Sequence, residues 1–90
     1  MTFFSDFKRQ ILASSYTLLH RSKKLSSASG HLIKSETLKN LIGCSDMCFH
    51  TCGCVSFDFA KVSHMCRLHS TMDLTHLITD PDANFYMLRQ

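Results

Sequence analysis

The stretch CSDMCFHTCGCVSFDF, residues 44–59, holds four of the chain's five cysteines within its first eleven residues and then changes rhythm. Just upstream, Asn40 is a good helix N-cap, because its side-chain oxygen can accept from the free N–H groups of a first turn, and Gly53 is an equally good stop. A helix is therefore predicted over about 41–52. Within it Leu41, Cys44, Cys48 and Cys52 recur at spacings of three, four and four, which lines them along a single inward face. After Gly53 the period becomes two. Val55, Phe57 and Phe59 alternate with Ser56 and Asp58, as in a strand with one face buried. A polar turn at 61–64 leads to a second short strand over 65–69, and the two predict a β-hairpin with Cys66 on its far arm.

Outward from this centre the signals weaken. Residues 16–19 and 31–38 read as extended segments, and the polar SSASG (26–30) between them reads as loop. From Ser70 to Asn84 the pattern is loop-like, with TDPDAN the clearest turn, and 85–88 reads as a closing strand. No internal repeat or low-complexity tract interrupts the chain.

Ninety residues make one small domain, and a chain this short buries only about 60% of the surface its unfolded form exposes. At 44% hydrophobic and 19% charged the composition is globular. A core of this size needs a staple, which five cysteines and six histidines could supply as disulfides or as a metal site. No run approaches the length of about 18 apolar residues that spans a bilayer. Residues 1–15 are expected to form an N-terminal extension ahead of a domain over 16–90. A basic pair, Lys8 and Arg9, before the apolar stretch 11–19 gives the chain's start some look of a secretion signal, weak or truncated, since Ser14, Ser15 and Thr17 dilute it.

The net charge of +3 is uneven: up to Asn40 there are seven Lys or Arg against two acids, and beyond it three against five. The basic half favours an anionic partner, such as a sulfated glycan or an acidic protein surface. Nucleic acid is a poor fit, because there is no basic helix, aromatic platform or zinc-finger spacing.

Three chemistries compete for the cysteines. Cys44 and Cys48, four apart on one helix, are neighbours that can each reach a strand beneath, and two such bridges would contribute about 2–4 kcal/mol each. A zinc site from Cys48, Cys52, Cys54 and His64 or His69 is the second reading, although CxxxC, CxxxC and CxC replace the usual CxxC knuckles. It would make the chain an intracellular zinc-stabilised interaction module. The third is a nucleophile, Cys52 with His50, but two residues apart on a helix these side chains project in different directions.

The run NLIGCSDMCFHTCGCVSFDFAKVSHMCRL resembles the core of the PAN/apple domain family, in which a helical C-x3-C is followed by C-x-x-F-x-[YF] on one strand and C-x-L on the next. Cys44 and Cys48 match the first element, Cys54 with Phe57 and Phe59 the second, and Cys66 with Leu68 the third. The resemblance implies an α+β fold, an antiparallel sheet crossed by one helix, with that helix tied to the hairpin by Cys44–Cys66 and Cys48–Cys54. It also implies a non-catalytic, extracellular module that binds proteins or carbohydrates without cofactor or metal. Cys52 falls outside the pattern, with two fates open to it: a buried free thiol, or a bridge to another chain. The family transfers no ligand site. The candidate read from this chain is the basic segment His20, Arg21, Lys23 and Lys24, placed in a loop after the first strand, with Lys34 and Lys39 joining it.

Overall fold

A computed structural model describes residues 15–89. The extension expected over 1–15 therefore lies, Ser15 apart, outside the described residues. The chain runs β1 (Ser15–His20), β2 (Lys23–Leu25), β3 (Leu32–Thr37), α1 (Leu41–Phe49), β4 (Ser56–Ala60), β5 (Met65–His69), β6 (Leu77–Thr79) and β7 (Ala83–Arg89), with short 3-10 turns at Ser27–Ser29 and Leu74–His76. Five strands form an antiparallel sheet in the order β1-β7-β4-β5-β3, and β2 pairs with β6 as a separate ribbon.

The helix begins where the sequence predicts, with the Asn40 side chain accepting from the Gly43 N–H at 2.8 Å. It ends earlier. His50 caps it, the Thr51 hydroxyl donates back to the Met47 carbonyl at 2.6 Å, and Gly53 turns the chain at φ 87°. The short exit follows from the cysteines: Cys54 must return to within 5.3 Å (Cα–Cα) of Cys48, whereas a helix continued to residue 52 would carry the chain about 6 Å further along its axis. Cys52 consequently sits in the turn, exposed and unbonded, and not on the inward face with Leu41, Cys44 and Cys48.

α1 packs across β4, β5 and β7. Cys44, Cys48, Cys54, Phe57, Phe59, Cys66, Leu68, Tyr86 and Leu88 make the buried cluster between helix and sheet. Phe57 stacks on Tyr86 at 5.3 Å between centroids, and Tyr16 meets both rings edge-on at 6.1 and 5.5 Å. Aromatic pairs in these geometries add about 0.5–1.5 kcal/mol each beyond their burial. Cys44–Cys66 ties α1 to β5, and Cys48–Cys54 ties it to the entry of β4. Two bridges from one helix hold it against the sheet that a core this small could not grip alone.

The sheet's other face differs from the expectation. β4 is buried at all five positions, so Ser56 and Asp58 are as enclosed as Phe57 and Phe59. The cover comes from segments the sequence suggests are loops. β2 lies inside the supposed loop between the first two strands, and β6 inside the supposed loop over 70–84; together they cross the face opposite α1. Leu25 enters that second layer fully buried, and the Ser56 hydroxyl donates to the Thr71 carbonyl at 2.6 Å.

Candidate functional site

The ribbon is fastened to the sheet through the backbone of Leu25. Its N–H donates to Asp58 Oδ2 at 3.2 Å, and its carbonyl accepts from Arg67 Nη2 at 2.9 Å. Asp58 and Arg67 face each other across the β4–β5 hairpin, with Nε and Oδ1 3.9 Å apart. His69 Nε2 donates to the same Asp58 Oδ2 at 2.7 Å, while Nδ1 is buried without a partner. A carboxylate orienting an imidazole is half of a catalytic arrangement. Here the imidazole is 0% and the carboxylate side chain 2% exposed, and the pair holds strands together.

Beside this fastening a cleft of about 240 Å³ opens, lined from four places in the fold. β2 contributes Lys24, the hairpin contributes Asp58, Ala60, Ser63, Met65 and Arg67, the turn before β7 contributes Asp80 and Asp82, and β7 itself contributes Ala83. Lys24 Nζ reaches Asp80 Oδ2 at 3.2 Å. Asp80 Oδ1 accepts from the Asp82 N–H at 3.0 Å, and this backbone hydrogen bond, ahead of the Lys24 ammonium, holds its carboxyl below the usual carboxylate value. Asp82 in turn accepts from the N–H groups of Val62 and Ser63 at 2.7 and 3.3 Å, which fixes the hairpin's tip against the cleft's other wall. Two cations thus stand among three carboxylates, already joined to protein groups.

This placement divides the basic segment. Lys23 and Lys24 are not loop residues: both lie on β2, Lys23 Nζ donating to Thr79 Oγ1 at 3.1 Å and Lys24 paired with Asp80. His20 ends β1 and Arg21 follows it in an exposed turn. Lys34 is on β3, at the opposite edge of the sheet from β1, and its ammonium lies 3.6 Å from Glu36. Lys39 precedes α1. Strand pairing takes charges that are clustered in sequence and spreads them across two edges and a cleft.

The two alternatives to disulfides fail on geometry. Cys48 and Cys54 are bonded to each other and His69 to Asp58, so the zinc set of Cys48, Cys52, Cys54 and a histidine cannot assemble. His50 rests on the ring of Phe49 at 5.1 Å, and no hydrogen bond joins it to Cys52. None of the described helices is long and apolar enough to cross a membrane.

Comparison with known proteins agrees with the geometry. No curated protein matches the chain. The sequence profile of the PAN domain matches residues 17–88, from within β1 to within β7, and so takes in both disulfides and the ribbon. With that match over most of its length, the chain belongs to the PAN domain family of protein- and carbohydrate-interaction modules.

Proposed function

We propose that this domain is a non-catalytic extracellular recognition module, and that the cleft between the β2–β6 ribbon and the hairpin tip receives an uncharged polyhydroxyl group of a carbohydrate ligand. The observation that carries the reading is the balance of charge in the cleft. Lys24 and Arg67 stand among Asp58, Asp80 and Asp82, so no surplus cation remains to attract a sulfate or a carboxylate. What the walls do offer is paired donors and acceptors, which suit vicinal hydroxyls that donate to a carboxylate and accept from a guanidinium. The volume accommodates about one sugar ring. Two disulfides in so short a chain support an oxidising compartment.

The test is amide chemical-shift titration of isotopically labelled protein with neutral monosaccharides and, separately, with a sulfated oligosaccharide. The neutral sugars are expected to shift Lys24, Ser63, Arg67 and Asp82 together. Tighter binding of the sulfated ligand, centred on Arg21 and Lys34, would overturn the reading and return the site to the exposed cations.

A further inference from the structure

The sheet has a second distinctive surface, on the β3 edge. The Leu38 N–H donates to the His64 carbonyl at 2.9 Å, and the register continues through Glu36 opposite Cys66 and Lys34 opposite Leu68. In an antiparallel ladder the hydrogen-bonded pairs alternate, so the even-numbered residues turn their backbone groups toward β5 and Ser35 and Thr37 turn theirs outward. All six residues of β3 are exposed, and no described strand pairs with this side.

A lysine on such an edge normally guards it against other chains, because a second copy brings like charge against like. Here Glu36 follows Lys34 two residues later on the same face, 3.6 Å away. An antiparallel second copy must set outward-facing residues opposite outward-facing ones, so its two-fold axis passes through residue 34, 35 or 36. Axes through 34 or 36 would oppose Lys34 to itself or Glu36 to itself. The axis through Ser35 opposes Lys34 to the partner's Glu36 twice, at non-hydrogen-bonded positions where facing side chains come closest.

We propose that β3 is a self-pairing edge, on which a second copy of this chain docks antiparallel about Ser35 and joins two five-stranded sheets into one. Ser35 exchanges N–H···O bonds with the partner's Ser35, and Ile33 lies opposite the partner's Thr37. Leu32 and Ile33, each 39% exposed at the start of the strand, border the contact. The bulge between Leu32 and Lys34 confines the pairing to residues 33–37, which places the dimer in the weak, small-interface class. The inference does not rest on the cleft or its ligand.

The test is sedimentation equilibrium of the full chain carrying Cys52→Ser, so that no intermolecular disulfide contributes, at low salt and up to about 1 mM, a ceiling suited to weak association. A reversible monomer–dimer equilibrium weakened by salt is expected. Lys34→Glu and Glu36→Lys should each raise the dimer Kd by about tenfold, while the double exchange restores it and an equimolar mixture of the two single variants forms the heterodimer. Ser35→Pro, which removes an outward N–H and leaves the β5 ladder intact, should also abolish pairing with an unchanged melting temperature. A monomer throughout the concentration range, or a dimer indifferent to both charge reversals, would overturn the proposal.

Discussion

Replacing Asp58 by alanine tests the second layer of the fold most sharply. The carboxylate side chain is 2% exposed and serves three donors: the Leu25 N–H at 3.2 Å, His69 Nε2 at 2.7 Å and, more distantly, Arg67 Nε at 3.9 Å. Alanine supplies none of these. A buried donor left unsatisfied costs about 1–3 kcal/mol, and breaking a buried ionic pair by removing one partner costs about 3–5 kcal/mol. Since these losses share one site and overlap, the expected destabilisation is about 3–5 kcal/mol. For a domain of this size each kcal/mol lowers Tm by roughly 4–8 °C, so Tm should fall by at least about 12 °C. The assay is thermal and urea unfolding under oxidising conditions, with amide exchange followed at Leu25. The Leu25 N–H should lose protection ahead of the β4–β7 ladder, because the ribbon is freed first. If Asp58→Ala melts within about 4 °C of the parent, corresponding to less than 1 kcal/mol, the carboxylate is not what fastens the ribbon.

Other expectations follow from the same geometry. Removing Cys44–Cys66 by paired Ala substitutions should cost about 3 kcal/mol and removing Cys48–Cys54 about 2 kcal/mol, since the first closes a loop of separation 22 and the second of 6; denaturant melts giving the reverse order would contradict the loop-entropy argument. Cys44→Ala alone should cost at least as much as the paired removal, because it strands the Cys66 thiol in the core, as a melt on non-reduced protein would reveal. Asp80, whose folded value is depressed below 3.8, contributes stability that is complete above that value and is lost as the pH falls through the lower folded one. Acidification through that lower folded value should therefore release Lys24 and loosen the cleft, visible as chemical-shift changes at Lys24 and Asp82. The opposite trend, with the contact strengthening in acid, would rule out the Lys24–Asp80 pairing.

The helix-to-hairpin core is legible in the sequence because its signals are local: an Asn cap, cysteines four apart, a change of period at Gly53 and paired aromatics. The helix's end is not, because the propensity of 50–52 is overridden by the closure of Cys48–Cys54, and this moves Cys52 from an expected interior position to an exposed turn. The second layer escapes for a different reason. β2 and β6 are three residues each, too short for a period-two pattern to register, and they lie more than fifty residues apart in the chain. Without them Ser56 and Asp58 look solvent-facing, and His69 looks like a surface histidine although it is fully buried. One available signal is the hairpin register: counting outward from the turn sets Asp58 opposite Arg67, a buried pair that asks for a covering layer. The cleft depends on that covering layer, and so on contacts between segments distant in sequence.

The central claim, an oxidised interaction module held by two specific bridges, is tested most directly by peptide mapping of non-reduced protein after alkylation of free thiols. The account predicts cross-linked peptides joining Cys44 to Cys66 and Cys48 to Cys54, with Cys52 alone alkylated. Five alkylated cysteines in protein purified without reductant, or Cys52 found in a bridge with Cys48 or Cys54, would contradict it.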